Sequence, residues 1–147
     1  MTKNTRIHKI FKNEKDGIIA ILEKLDIKNL SSFFKLCYQA QKTIKNKKKI
    51  IFIGNGGSAS DAQHLATELT VRYKKNRKAI SAVSLSTDTS ALTAIGNDFG
   101  FKYIFSRQLE ALGNSGDLCI AITTSGNSQN LIEAAKISKK KGVKFFA

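Results

Sequence analysis

The sequence predicts an α/β fold in which a doubly wound parallel sheet lies inside a three-layer αβα arrangement, preceded by N-terminal helices. Short apolar runs alternate with longer segments of helical periodicity from residue 49 onward. The runs are rich in β-branched and aromatic residues and lack polar alternation, which is typical of parallel strands covered on both faces. Two of them lead directly into glycine- and hydroxyl-rich loops that open helices. These observations together favour helices on both faces of the sheet and a ligand site at its edge.

Two amphipathic helices are predicted before the first strand. The first covers about 5–25 and the second about 30–44, and residues 26–29 break the pattern between them. Because the second helix carries apolar residues on more than one face, we expect it to pack on two neighbours. We therefore expect residues 1–46 to form a helical arm used in oligomerisation, within a single domain of residues 1–147.

Four strands and four helices are predicted after this arm. The strands are expected at 49–53, 80–85, 117–122 and 143–147, and the helices at 58–74, 88–96, 103–112 and 128–141. Gly113 and Gly142 follow the third and fourth of these helices, where a left-handed C-terminal cap favours glycine. The sequence ends within the fourth apolar run. Because a strand without a covering helix leaves one face of a sheet open, we expect either further residues or a partner subunit to complete the fold.

The charge of the chain limits the class of partner. The formal net charge is +14, yet 21 of the 25 basic residues are lysines, and they are spread along the chain. Lysine is less suited than arginine to bidentate recognition of bases, so we expect a solvated basic surface that attracts anionic substrates, and no nucleic-acid partner. Binding of nucleic acid through the lysines stays an alternative, which predicts an affinity that falls steeply with salt.

Hydropathy and cysteine usage point to the cytoplasm. No apolar run approaches the roughly 20 residues needed to span a bilayer, and no segment resembles the apolar core of an export signal. We therefore expect a cytoplasmic protein with no membrane partner. The two cysteines, Cys37 and Cys119, lie on a predicted helix and in a predicted strand. Without a Cys-x-x-Cys pattern, they are expected to be reduced and structural.

The first glycine-rich loop runs from Gly54 to Asp61 and contains the G-x-G-x-x-[GA] pattern of dinucleotide sites. A dinucleotide-binding domain would place an acidic residue at the end of the next strand, which here ends in Ser84 and Ser86. Backbone N–H groups at a helix start, together with serine hydroxyls, also bind a phosphate. We therefore favour a phosphate over a dinucleotide as the ligand of this loop.

The second loop, 123–128, carries four hydroxyls in six positions. Each hydroxyl can donate to a phosphate oxygen, and Gly126 lets the backbone approach closely. The alternative is that Ser125 or Ser128 caps the following helix, although capping uses only one of the four hydroxyls. With the first loop, this arrangement predicts a sugar phosphate held across the ends of two strands.

Polar residues that could act on such a ligand follow the first loop. Asp61, His64 and Glu68 are three and four residues apart, so they share one face of a helix. His64 and Glu68 are suited to bind a divalent metal, and Glu68 to act as a general base; a surface hydrogen bond between the two is the alternative. Asn97 and Asp98 lie between glycines at a helix end, where they would face a ligand or form a plain turn.

In this order, the motifs resemble those of the bacterial phosphoheptose isomerases (sedoheptulose 7-phosphate isomerases) of the sugar-isomerase (SIS) superfamily. The resemblance covers nearly the whole chain and is carried by Gly54-Asn55-Gly56-Gly57-Ser58, Asp61…His64…Glu68-Leu69-Thr70, Gly96-Asn97-Asp98-Phe99-Gly100 and Thr124-Ser125-Gly126-Asn127-Ser128. The last motif alone marks the superfamily, and the others mark the isomerases. The resemblance implies a SIS-type, Rossmann-like fold and a homotetramer whose assembly uses the N-terminal helices.

The resemblance also implies a reaction, the conversion of sedoheptulose 7-phosphate to D-glycero-D-manno-heptose 7-phosphate through an enediolate. This is the first step toward activated heptose for lipopolysaccharide or capsule. Glu68 would be the catalytic base, and His64 and Glu68 would ligate one zinc ion per subunit. The substrate contacts would come from Asn55, Gly56, Gly57, Glu68, Asn97, Asp98, Thr123, Thr124, Ser125 and Ser128.

One difference from the family concerns the metal. The family continues with a strand and a long helix whose Gln and His complete the zinc site, and this sequence stops before them. We therefore expect a zinc site that is two ligands short in the chain as written. A non-catalytic SIS-fold module, which binds a phosphosugar or a protein in the manner of the replication regulators, is the alternative function.

Overall fold

The computed structural model describes residues 3–147, so residues 1 and 2 of the predicted arm lie outside the described residues. The chain divides into two compact units, one extending to Cys37 and the other covering Tyr38–Ala147. This boundary lies within a helix, earlier in the chain than residue 46, where the predicted arm ends.

The first unit is helical. It contains α1 (Lys3–Glu23), a 3₁₀ helix (Ile27–Leu30) and the first turns of α2 (Ser31–Lys45), which confirms the two predicted helices. Asp26 precedes the 3₁₀ helix in extended conformation, and its carboxylate accepts a hydrogen bond from the Lys28 N–H at 3.3 Å. This local cap explains why the helical pattern breaks where the sequence predicts.

The second unit alternates strands and helices in the predicted order. Its elements are β1 (Ile50–Gly54), α3 (Gly57–Thr70), β2 (Ala82–Ser84), α4 (Thr89–Asp98), a 3₁₀ helix (Phe101–Tyr103), α5 (Ile104–Leu112), β3 (Leu118–Ile122), α6 (Gln129–Lys141) and β4 (Lys144–Phe146). Across the described residues, no helix combines the length and the apolar character needed to cross a membrane.

The four strands form one sheet of order β2-β1-β3-β4, and every neighbouring pair is parallel. The chain leaves β1 for β2 on one side and later returns to β3 on the other side of β1. In doubly wound sheets, ligands bind outside the carboxyl ends of the strands where the direction of winding reverses. The predicted fold class is therefore confirmed, and its topology points to the carboxyl ends of β1 and β3.

Apolar residues fill both faces of the central strands. Ile51 and Ile53 of β1 are fully buried in one cluster with Leu109 of α5 and Ala134 of α6. The intervening strand residues point to the opposite face, because side chains alternate along a strand. On that face α3 packs on β1 and buries Ala62 completely. Covering on both faces explains why the strands read as continuous apolar runs.

Helix α3 ends at Thr70, four residues before the predicted end. Arg77 from the following segment donates to the carbonyl oxygen of Leu69 at 2.8 Å and to that of Glu68 at 2.7 Å. The guanidinium thereby satisfies carbonyl groups that the last turn of a helix leaves without intrahelical partners. The helix thus ends where Arg77, seven residues beyond it, binds its last carbonyl groups. Hydrophobic periodicity alone did not predict this end.

The two glycines predicted as left-handed caps differ. Gly142 follows α6 with φ 69° and ψ 21°, as predicted. Gly113 follows α5 in extended conformation with φ −74°, so the left-handed cap predicted there is wrong. A Cβ at Gly113 would lie 2.7 Å from the Leu109 carbonyl oxygen. Glycine is required there by close contact with the helix end.

Candidate active site

The two predicted phosphate loops leave neighbouring strands at the same edge of the sheet. Gly54, the last residue of β1, pairs in register with Ile122, the last residue of β3. The segments that follow these two residues therefore start side by side. The two loops thus lie together at the carboxyl ends of β1 and β3, the position at which doubly wound sheets bind ligands.

The first loop turns sharply into α3. A Cβ at Gly54 would lie 2.4 Å from the Ser58 carbonyl oxygen, so the strand and the first helical turn are in close contact. Gly56 has a φ of 56° and precedes the helix without a side-chain cap. The helix begins at Gly57, one residue earlier than predicted. In its first turn, the Ser58 N–H donates to the Asn55 carbonyl oxygen and the Ala59 N–H donates to the Gly56 carbonyl oxygen, both at 3.0 Å.

Two hydroxyl oxygens of the second loop accept hydrogen bonds from backbone N–H groups of the same loop. The Gly126 N–H donates to Thr123 Oγ1 at 3.1 Å, and the Asn127 N–H donates to Ser125 Oγ at 3.3 Å. Ser128 occupies the cap position of α6, but its side chain makes no cap hydrogen bond. The capping alternative for Ser128 is therefore wrong. Hydroxyl protons of this loop are available to an anion.

Asn130, which was not predicted as a site residue, joins the two loops. Its side-chain amide exchanges two hydrogen bonds with that of Asn55, at 3.0 and 2.8 Å. Asn130 is 3% exposed on the first turn of α6. A signal existed in the sequence, because Asn130 lies four residues before the buried Ala134, on the buried face of the helix. A polar residue on such a face needs a partner.

His64 and Glu68 meet on α3 as their spacing predicts. His64 Nε2 lies 3.2 Å from Glu68 Oε1, and the two side chains are 72% and 29% exposed. The second oxygen, Glu68 Oε2, is buried and has no hydrogen-bond partner among the described residues. A buried carboxylate oxygen without a partner costs free energy, and a catalytic role or a bound ion or water molecule would account for it.

Two cavities border this face of α3. One, of about 430 Å³, is lined by Asp61, His64 and Ile122, so the α3 face looks onto the end of β3, where the second loop begins. The other, of about 530 Å³, is lined by His64, Glu68 and largely apolar side chains, among them Phe52 and Tyr73. Asp61 and His64 therefore lie near the end of β3, whereas Glu68 lines the second cavity, which His64 joins to the first.

Asn97 and Asp98 form the last turn of α4 and are exposed. Asn97 Nδ2 donates to Asp98 Oδ1 at 2.8 Å. Within the described part of the chain, neither side chain forms a hydrogen bond with the two loops.

The metal prediction concerns the same helix face. Among the residues that the structure describes, no group of three or more His, Cys, Asp or Glu side chains is arranged to hold a metal ion. A catalytic zinc takes three protein ligands. His64 and Glu68 supply two, so the described residues do not by themselves fit a catalytic zinc site.

Comparison with known proteins identifies the family. The SIS domain family matches residues 15–147. The chain belongs to the SIS domain family. Solved SIS neighbours include a phosphoheptose isomerase from Neisseria gonorrhoeae, with a TM-score of 0.81 and 39% identity over 98% of this chain and 73% of that one. Another, from Francisella tularensis, has a TM-score of 0.84 and 30% identity over 99% of this chain and 74% of that one.

Curated relatives of this SIS domain carry the same name. The phosphoheptose isomerase of Campylobacter concisus (strain 13826) is 60% identical over 114 residues, which are 78% of this chain and 60% of that protein. That of Helicobacter pylori (strain P12) is 61% identical over 102 residues, which are 69% of this chain and 53% of that protein. The chain therefore spans little more than half the length of the curated relatives it matches.

Proposed function

We propose that this SIS domain belongs to a ketose–aldose isomerase that converts sedoheptulose 7-phosphate to D-glycero-D-manno-heptose 7-phosphate. The observation that carries the proposal is Glu68 Oε2, which is buried without a hydrogen-bond partner among the described residues, on a helix that starts from the first glycine-rich loop. The relatives named phosphoheptose isomerase support the choice of substrate. The reaction would be the first step toward activated heptose for lipopolysaccharide or capsule, in the cytoplasm.

Binding of the substrate divides between the two loops. The phosphate lies on the second loop, where hydroxyl protons and the start of α6 favour an anion. The sugar end lies toward the first loop and α3. The proposed phosphate contacts are Thr123, Thr124, Ser125 and Ser128, and the proposed sugar contacts are Asn55, Gly56, Gly57, Asn97 and Asp98.

Glu68 is the proposed catalytic base. Isomerisation moves the carbonyl from C2 to C1, so a base removes a proton from C1 of the ketose and a proton returns to C2 of the aldose. Glu68 Oε2 is free to take the C1 proton, and His64 holds the other oxygen at 3.2 Å. The intermediate is an enediolate, whose negative charge needs donors preorganised around the sugar oxygens.

Zinc is the proposed metal of His64 and Glu68. An imidazole nitrogen and a carboxylate oxygen are common zinc ligands, and a bound ion would polarise the sugar oxygens. These two side chains alone fall short of a catalytic ligand set, and the proton transfer assigned to Glu68 does not depend on the ion. Calorimetric titration with Zn²⁺ tests this part: weaker binding by H64A supports it, and equal binding by H64A and the wild-type protein contradicts it.

A homotetramer is the proposed assembly. The first unit exposes large apolar side chains along its helices, among them Ile7 at 60%, Phe11 at 70% and Phe33 at 55% exposure. Apolar surface of this extent is typical of an interaction site. Light scattering coupled to size-exclusion chromatography measures the mass of the assembly. A monomer at micromolar concentration would contradict this part of the proposal.

The substitution E68Q tests the proposed function. It keeps the size of the side chain and removes the base, so kcat should fall by about 10²–10⁴-fold while binding of sedoheptulose 7-phosphate is retained. E110Q, which changes an exposed carboxylate on α5, is the matched control. A wild-type protein that binds the sugar phosphate without turnover would instead be the non-catalytic binding module. Turnover by E68Q at the wild-type rate would exclude Glu68 as the base.

A further inference from the structure

The side chain of Asn130 ties the two loops together from inside the protein. Its Nδ2 donates to Asn55 Oδ1 at 2.8 Å, and its Oδ1 accepts from Asn55 Nδ2 at 3.0 Å. Asn55 directly follows β1, whereas Asn130 lies in the first turn of α6, 75 positions later in the chain. The pair therefore links the backbone after β1 to the start of the helix after β3.

The reciprocal pair leaves part of Asn55 free. A carboxamide has two N–H donors and an oxygen that accepts two hydrogen bonds. Each partner spends one donor and one lone pair on the other, so Asn55 keeps one N–H and one lone pair for a ligand. Turning either amide over would set oxygen against oxygen and nitrogen against nitrogen. Each amide thus holds the other in a single orientation.

Asn130 itself is out of reach of a ligand. It is 3% exposed, whereas Asn55 is half-buried. Any effect of Asn130 on a ligand must therefore pass through Asn55 or through the spacing of the loops. On the opposite side of the first loop, Ser86 Oγ donates to the Gly54 carbonyl oxygen at 3.3 Å. The first loop is thus hydrogen-bonded to Ser86, which follows β2, and to Asn130, which follows β3.

We infer that Asn130 is a positioning residue for substrate binding. It sets the orientation of the Asn55 amide and the spacing of the two loops, so that one sugar phosphate contacts both. Groups held in place before binding lose less freedom when the ligand arrives, so a loosened Asn55 weakens binding. This inference rests on the proposed isomerase function and adds a residue to it that contacts no substrate.

A double-mutant cycle on the isomerase tests the inference. We expect N130A to raise KM for sedoheptulose 7-phosphate roughly tenfold, the effect of losing one hydrogen bond between a misoriented Asn55 and the substrate, and to change kcat less than about threefold. The KM of N55A/N130A should be no higher than that of N55A alone, because Asn130 acts through Asn55. N114A, which truncates an exposed carboxamide at the far edge of the sheet, is the matched control and should match the wild-type protein.

An unchanged KM for N130A, or additive effects of the two substitutions, would overturn the inference. A wild-type protein without isomerase activity would reject the proposed function instead, and calorimetric Kd values for sedoheptulose 7-phosphate across the same proteins then decide the role of Asn130.

Thermal unfolding checks the fold of each variant. If N130A does not fold, N130D is measured, because it keeps the side-chain size but cannot donate to Asn55 Oδ1 when ionised. It too must raise KM or Kd. If neither variant folds, the pair is a folding determinant and the inference is wrong.

Discussion

Lys49 and Asp117 form a salt bridge at the amino ends of β1 and β3, with Lys49 Nζ 2.5 Å from Asp117 Oδ2. Asp117 is 1% exposed, and its carboxylate also accepts from the backbone N–H groups of Lys49 at 3.0 Å and of Asn114 at 2.9 Å. The carboxylate thereby supplies acceptors to backbone donors next to the strand ends. The salt bridge thus joins β1 and β3 at their amino ends, whereas the two candidate ligand loops follow their carboxyl ends.

We predict that D117A lowers the free energy of unfolding by about 3 kcal/mol, because it leaves two backbone donors and a partly buried ammonium without their acceptor. Urea denaturation measures the change. K49M should lower the free energy of unfolding by less than D117A, since Asp117 keeps both backbone donors. Affinity for the sugar phosphate should not change in folded D117A. A stability equal to that of the wild-type protein would show that the pair contributes nothing.

Gly54 should not tolerate a side chain. Its Cβ would lie 2.4 Å from the Ser58 carbonyl oxygen, whereas a Cβ at Gly57 would meet nothing within 4 Å. We expect G54A to destabilise the protein by about 2 kcal/mol, because the first turn of α3 must move, and G57A to leave stability nearly unchanged. Thermal unfolding of both variants checks this. Equal effects of the two substitutions would contradict the close contact of strand and helix.

Thr124 should contribute to affinity without contributing to the fold. Its side chain is exposed and makes no hydrogen bond in the described part of the chain, unlike that of Thr123. We expect T124V to raise Kd for the sugar phosphate by about tenfold or more, the effect of one hydrogen bond to a charged group, with an unchanged melting temperature. T93V, whose hydroxyl bonds only carbonyls of its own helix, is the control. Wild-type affinity in T124V would remove Thr124 from the phosphate site.

Cys119 should make stability fall at alkaline pH. Burial in β3 raises the pKa of its thiol from 9.0 to about 12. Below pH 9 both the folded and unfolded thiol are protonated, and above it only the unfolded chain loses the proton. Stability should therefore fall by roughly 1 kcal/mol per pH unit above pH 9 from this group alone. The slope measured in C37S should exceed that in C37S/C119A, and equal slopes would contradict the shift.

Most elements of the second unit could be predicted because their patterns are local. The apolar runs, the loop glycines and the 3-and-4 spacing of Asp61, His64 and Glu68 depend on neighbouring residues only. Two predictions were wrong where a specific contact, which periodicity does not encode, decides the local structure. Arg77 ends α3 early, and the Leu109 carbonyl, not backbone handedness, requires glycine at position 113.

In the candidate site, too, local patterns could be predicted and contacts between separate parts of the chain could not. Hydroxyl-rich loops and the His–Glu spacing are visible in the linear order of residues. The reciprocal amide pair joins positions 55 and 130, and no pattern within a helix or strand relates them. The sequence likewise does not show which loop hydroxyls are already engaged, since Thr123 and Ser125 accept from backbone groups whose positions depend on the folded loop.

By itself, the order of amino acids determined the α/β alternation, the two glycine- and hydroxyl-rich loops and the helix face that carries His64 and Glu68, because periodicity and glycine placement act over a few residues. Only the tertiary structure decided that the loops lie side by side, that Asn130 links them by hydrogen bonds, and that one buried oxygen of Glu68 has no partner among the described residues. These features arise from strand order and helix packing, which bring together residues that are far apart in the chain.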